Sequence, residues 1–197
     1  MNLKHMKWIA LTIASATVTS SFAQNYGFNY NSRSKLTISP ILGIERVQKY
    51  SPTPHMKTRA TYGVRALYQL PISSLEAEYT RSKDDERDTL TDANYEETQD
   101  KLRVGLRGNF TGGKFLSYYM RGGAQGTKRE IKRIKQGEET TSRSTSKINP
   151  YVGTGITLKL LQFVSVSGDV VATYTPTDDP NLKDYEIQPT VSFNLSF

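Results

Sequence analysis

The sequence predicts an all-β fold: an eight-stranded antiparallel up-and-down transmembrane β-barrel with short periplasmic turns and long extracellular loops. Three observations carry that expectation. Apolar and polar side chains alternate with a period of two in eight stretches. No helical period competes after the first segment, and short connections alternate with long ones, as they do in barrels that cross a membrane. The 197 residues contain no cysteine, so stability comes from the fold itself. A charged fraction of 23% would suit a soluble protein. It suits a transmembrane barrel equally well, because half of each strand faces a polar interior.

The chain begins with Lys4 and Lys7, continues through a largely apolar Trp8–Val18, and offers small residues at Ser21 and Ala23. This pattern reads as a secretory signal peptide over residues 1–23. The apolar run falls short of the ~20 residues that a spanning helix needs. Residues 24–34 are then a periplasmic lead-in, and 35–197 the outer-membrane barrel.

Alternation places strands at about 35–47, 60–70, 74–82, 100–110, 115–127, 147–158, 162–174 and 185–197. The first connection contains SPTPHMK, and the next is a tight PIS. A long acidic DDERDTLTDANYEETQ follows, then TGG, then a long segment around KREIKRIKQGEETTSRSTS, then LKLLQ, and finally PTDDPNLKD. Long connections therefore gather at one end of the sheet and short turns at the other. Pro40 and Pro189 break the pattern, since proline removes a ladder hydrogen bond, and they predict bulges or local irregularity where the first and last strands meet.

One parity of every strand is free of charge, as in Leu36, Ile38, Leu42 and Ile44 or Val191, Phe193, Leu195 and Phe197. The other parity carries Glu45, Arg65, Glu76, Glu78, Lys101, Arg103, Arg107, Arg121, Asp169 and Glu186, together with Gly43, Gly63, Gly105, Gly123, Gly153 and Gly155. Five acids face five bases. The lumen of eight strands just accommodates side chains, so small residues and paired charges fit inside while the apolar parity meets lipid. With the N-terminus in the periplasm, Tyr62, Tyr79, Tyr174 and Tyr185 fall at the outer interface. Tyr68, Phe110, Tyr118, Phe193 and Phe197 fall at the inner one, which gives the two aromatic girdles of a membrane barrel.

The C-terminal run Val191, Phe193, Leu195, Phe197 and the stretch NPYVGTGI at Asn149–Ile156 resemble the small eight-stranded bacterial outer-membrane barrels, the OmpX-like and OmpA transmembrane-domain-like proteins. The resemblance covers the chain as a pattern. It implies a monomer in the outer membrane with loops at the cell surface and both termini periplasmic. It also implies that the terminal run is an assembly signal read by the barrel-assembly machinery, and that no peptidoglycan-binding domain follows.

Chemistry is sparse in this pattern. Glu76 and Glu78 neighbour Arg103 and Arg107, so cross-strand ion pairs are expected, either as a structural plug or as part of a gated pore. Enzymes that modify lipid A occur on this scaffold and use a histidine with a serine and an acid. Here the only histidine outside the leader is His55, near Ser51, with no spaced partners that mark a triad. Metal binding by histidine or cysteine clusters is excluded by count, and no cofactor is expected. A narrow channel or a transporter of small hydrophobic compounds is a further alternative.

Lys83–Asp100 carries eight acids and two bases, whereas Lys128–Lys147 carries seven bases and three acids. Alternation around Thr127–Lys135 continues past the membrane span, which suggests a protruding sheet turning at Gln136-Gly137. Lys128, Arg129, Lys132, Arg133 and Lys135 are candidates for contact with lipopolysaccharide phosphates, and the sheet edge is a candidate for an extracellular protein partner. A basic cluster confined to one loop gives little support to nucleic-acid binding.

Overall fold

The computed structural model describes residues 35–49, 55–88, 93–111, 115–135, 138–176 and 184–197. The expected signal peptide and lead-in lie outside the described residues, as do the tips of several connections. Among the described residues there are eight strands: β1 (Leu36–Lys49), β2 (His55–Gln69), β3 (Ser74–Asp88), β4 (Ala93–Thr111), β5 (Leu116–Lys135), β6 (Glu138–Lys159), β7 (Val164–Tyr174) and β8 (Tyr185–Ser196). They form one closed antiparallel barrel in chain order, with β8 returning to β1. Closure leaves no sheet edge within the apolar band, so every strand there finds a partner on both sides.

The two faces sort as the alternation demands. Leu42, Val104, Val152 and Val191 point outward and are more than half exposed, whereas Ser39, Arg65, Glu78 and Gln125 point inward and are buried. Outward Tyr68, Tyr118, Phe193 and Phe197 gather at the end of the barrel where β1 starts and β8 stops, the terminal end. Tyr62, Tyr79 and Tyr185 are exposed toward the other, distal end. At the terminal end the turns are tight. Leu70 N–H donates to the Ser73 carbonyl at 2.8 Å, and Leu160 N–H to that of Val164 at 3.0 Å.

The distal end departs from expectation. The acidic segment read as a long loop is mostly strand, with only residues 89–92 between β3 and β4, whereas β5 and β6 form the expected protruding hairpin, with only the expected turn residues 136–137 between them. The connection 175–184 stays long. A hydrogen-bonded ladder needs no apolar side chains to continue, and opposite charges face each other across it, with Glu96 opposite Lys132 and Asp100 opposite Lys128. The result is a sheet of β3, β4, β5 and β6 that rises past the low side formed by β7, β8 and β1. A register shift between Thr127 and Arg129, where β5 leaves the barrel wall, marks its base.

The proline expectation needs a correction as well. The β1–β8 register is the same on both sides of Pro40, with Thr37 opposite Ser196 and Ile41 opposite Ser192. β7 and β8 likewise stay in register through Val170 opposite Pro189. No bulge is required, because a missing N–H interrupts bonding without inserting a residue. The irregularity takes another form: β1–β8 pairing ends at Gly43 opposite Thr190, one residue short of Pro189.

Glycine on the inward parity makes room for aromatic filler. A Cβ on Gly155 would stand 2.5 Å from Tyr119 Cζ and 2.6 Å from Asp169 Cβ, and one on Gly105 would stand 2.6 Å from the Tyr151 hydroxyl. Outward Gly168 has nothing within 4 Å of the same atom. Gly155→Ala is therefore expected to destabilise the refolded barrel by about 1–3 kcal/mol, the usual cost of overpacking. Gly168→Ala is expected to leave stability within about 0.5 kcal/mol, as for other surface changes. Urea unfolding in lipid vesicles measures both.

Candidate functional site

The lumen holds two clusters of paired charged side chains. At its centre Arg65, Arg103 and Arg121 from β2, β4 and β5 converge on Glu76 and Glu78 of β3 and Asp169 of β7. Arg103 Nη1 donates to Glu78 Oε1 at 2.5 Å. Arg121 Nη1 donates to Glu76 Oε1 at 2.6 Å, and its Nη2 to Asp169 Oδ1 at 2.9 Å. Arg65 lies 2.7 Å from Glu78 and 2.9 Å from Asp169. All six are nearly or wholly shielded from solvent. Guanidinium forks suit this task, because each can serve carboxylates on two or three strands at once.

A second cluster lies toward the distal mouth. Lys101 bridges Glu45 at 2.8 Å and Glu186 at 2.5 Å. Arg59 joins Glu45 at 2.9 Å to Glu97 at 2.8 Å, and Arg129 reaches the second oxygen of Glu97 at 2.7 Å. Arg107 stands apart at the terminal side, and its expected pairing with Glu76 or Glu78 does not form. Ser74 lies opposite Arg107 in the register, and Glu76 is drawn instead to Arg121. The Arg107 guanidinium stacks on the Tyr119 ring with 3.4 Å between them.

Of the ten charges expected inside, the structure buries nine, and Glu186 is half-buried in the second cluster. Sequence reading missed Arg59 and Glu97, because it ended strands where the apolar parity ended, and it took Arg129 for a surface contact where the structure pairs it with Glu97. Extending the same parity along β2 and β4 would have found the first two. It also missed Tyr119, Tyr151, Gln125 and Gln188, buried polar or aromatic residues that tie the network together. Arg103 donates to both Gln125 and Gln188 at 2.6 Å, and the Tyr119 hydroxyl donates to Asp169 at 2.7 Å. Uncharged inward positions with bulky side chains were the available signal.

His55 is the first residue of β2, opposite Lys49, and its side chain lies outside the described residues, as does Ser51. Groups of three or more potential metal-ligating side chains are absent among the described residues. The basic candidates Lys128, Arg129, Lys132 and Arg133 lie on the β5 extension with Lys135 at its end, although the Lys135 side chain lies outside the described residues. Arg129 turns inward to Glu97, Lys132 reaches Glu139 at 3.3 Å, and Arg133 packs over Tyr95. Lys128 is exposed.

Just beyond the apolar band, Arg81 Nε donates to Asp100 Oδ1 at 2.6 Å, and the Tyr79 hydroxyl donates to the same oxygen at 2.7 Å. The Arg81 hydrogen bond is the main influence holding the Asp100 carboxyl below its ordinary 3.8, against a smaller opposing effect of burial. For Glu97, burial is the largest single influence and opposes ionisation. The hydrogen bonds and charges of Arg129 and Arg59 together outweigh it, so its carboxyl also lies below the ordinary 4.5.

An apolar belt between aromatic girdles, a closed ladder and a polar lumen define a transmembrane β-barrel of the outer-membrane type. Solved structures of that class superpose on the chain. Neisserial surface protein A (NspA) matches with a TM-score of 0.55 at 13% identity, covering 82% of this chain and 96% of the other. Ail, the attachment invasion locus protein of Yersinia pestis, matches at 0.54 and 10% identity over 83% and 97%, and it has also been solved in complex with the heparin analogue sucrose octasulfate. OprG from Pseudomonas aeruginosa matches at 0.55 and 10% identity over 87% and 99%. The chain has the fold of these small eight-stranded outer-membrane barrels. No protein-family model and no curated protein matches it.

Arg121→Met would leave Glu76 with only the more distant Arg65, at 3.9 Å, as its cation, and would take one of the cations from Glu78 and Asp169. A loss of about 3–5 kcal/mol is expected from breaking a buried pair, read by unfolding of the refolded barrel. The protruding sheet should respond to acid. Carboxyls whose folded pKa is depressed contribute stability that is fully present above their unfolded values and is lost as pH falls through the folded ones. Protection factors for amide exchange in Lys83–Asp88 and Ala93–Gln99 should therefore fall as pH drops below about 4, near the ordinary carboxylate values, ahead of those in the apolar band.

Proposed function

We propose that this protein is an integral outer-membrane β-barrel of a Gram-negative bacterium. Its lumen is plugged by the ion-pair network, and its β3–β6 sheet projects from the cell surface to engage partners there. The observation that carries this reading is the contrast along one continuous sheet. Inside the apolar band the charges turn inward and, apart from Arg107, pair with one another; beyond it the strands continue with exposed charge. A sheet extending past the membrane without function would only add unpaired edges.

The plug follows from the density of contacts in the lumen. Arg65, Arg103 and Arg121 cross it from three strands and meet acids on two others, in a lumen that eight strands leave only just wide enough for side chains. The exposed sheet offers two recognition modes. On the side facing away from β5, β6 runs on above its last pairing with β7, at Tyr151 opposite Thr173, as an outer strand of the described sheet, a geometry suited to strand addition. Exposed Lys128, Arg143 and Lys147 supply cations for phosphate or sulfate groups, such as those of lipopolysaccharide. The Ail complex with sucrose octasulfate supports a polyanion as one class of partner for a barrel of this shape. The role is recognition and structure rather than catalysis. Both termini are then periplasmic, and Val191, Phe193, Leu195 and Phe197 present the outward apolar run that the barrel-assembly machinery reads.

With no native thiol, a Gly137→Cys variant in intact cells has no background of its own. A membrane-impermeant maleimide should label it before lysis, and a photocrosslinker on the same reagent should capture an extracellular protein or lipopolysaccharide. Labelling only after lysis would invert the topology. Ohmic single-channel steps from the refolded protein in a planar bilayer would overturn the plug.

A further inference from the structure

Charge is distributed unevenly along the lumen. The buried carboxylates Glu45, Glu76, Glu78, Glu97 and Asp169 occupy its middle and distal parts. The chain has no Asp or Glu before Glu45 or within residues 46–75, 102–129, 140–168 and 187–197. Those stretches build the terminal end of every strand and all three of its turns. Among the described residues, that end holds no Asp or Glu side chain beyond Glu76, the third residue of β3. Its described cations include exposed Lys35 and Lys159 and, inside, Arg107.

Arg107 is 4% exposed and contacts no carboxylate. Its Nε donates to Asn109 Oδ1 at 2.9 Å and its Nη2 to Thr157 Oγ1 at 3.1 Å, while buried Nη1 has no hydrogen-bond partner. The Tyr119 ring beneath it attracts the cation without neutralising it. A guanidinium cannot shed its proton, and its neighbour across β4–β5 is another cation, Arg121. The surrounding side chains are hydroxyls and amides. Ser74 stands opposite Arg107 in the β3–β4 register, and Thr157 shares a 2.7 Å hydrogen bond with Ser167, which in turn accepts from Asn194 at 2.8 Å. Hydroxyls of this kind can turn to donate toward an anion.

We propose that the terminal part of the lumen is a binding site for a small oxyanion. In it the free Nη1 of Arg107, with the hydroxyl of Thr157 beside the same guanidinium, holds a phosphate-like group that supplies the counter-charge the chain lacks there. Lys35 and Lys159 draw such anions to the mouth. The group arrives either as free phosphate or on the headgroup of an anionic lipid, and the chemistry at Arg107 is the same.

The test uses the protein refolded in neutral maltoside micelles with ¹⁵N-labelled arginine side chains. Inorganic phosphate is titrated at constant ionic strength. A saturable shift of the Arg107 Nε–H resonance, with none at Arg81, is the expected result, together with a rise in the urea midpoint that Arg107→Gln abolishes. Thr157→Val keeps the charge and removes one hydroxyl, and should weaken saturation about fivefold. If Arg107→Gln does not refold, the wild-type titration and Thr157→Val decide the question. Nanodiscs containing phosphatidylglycerol, compared with phosphatidylcholine and without free phosphate, separate the sources: the same shift there identifies a lipid headgroup. No saturable shift with either source overturns the proposal, as does an equal response at Arg81 or one that survives Arg107→Gln.

Discussion

Eight strands close around a space that side chains only just fill. The outward parity meets hydrocarbon and must be apolar, so the chain's polarity has to go inward, where charge is tolerated only when paired. Arg65, Arg103 and Arg121 meet this constraint by each reaching acids on other strands, which ties β2, β3, β4, β5 and β7 together across the lumen as well as around its wall. Replacing such a network with apolar side chains would not be neutral here, because the glycines at 105, 123, 153 and 155 shape the space for guanidinium groups and the two tyrosines.

The same constraint explains the unequal wall. Within the apolar band all strands must pair, since an unpaired peptide group in hydrocarbon costs several kcal/mol. Above the band water satisfies the backbone, so strands stop or continue according to local chemistry. The β1–β8 seam stops beside Pro189, and β4–β5 continues because acid faces base across it. Height is therefore set strand by strand, and the taller side carries the charges that water and surface partners can reach.

Much of this was legible in the alternation. Strand order, the inward charges and the aromatic girdles follow from a period of two, because each residue's face is fixed by its parity. Strand ends were legible at the third hairpin, whose alternation runs on to the turn at Gln136-Gly137, but not on β4, where the reading tied the strand to the apolar parity and the ladder through Glu96 and Asp100 runs on without it. Nor was the identity of ion partners legible. Glu78 meets Arg103 directly across the ladder, as parity suggests, but Arg121 reaches Glu76 across the lumen, past β4, a contact set by barrel closure rather than by neighbouring strands. The interior tyrosines were hidden for a related reason: Tyr119 and Tyr151 look like girdle residues in composition, and only their parity and the facing Gly155 and Gly105 place them inside.

Closure also turns a one-dimensional bias into an axial field. The described acids, at 45, 76–88, 96–100, 130–139, 169 and 184–186, become, once strands alternate in direction, groups at the middle and distal levels of a cylinder. The terminal level is left with cations and hydroxyls. In a low-dielectric wall such a separation is felt along the whole lumen, since screening by salt is weak where water is excluded. The central network is neutralised by its own members, whereas Arg107 sits at the boundary where acids run out, its guanidinium held by a ring face and two neutral acceptors. A chain that pairs its other central charges so completely leaves this one to be balanced from outside.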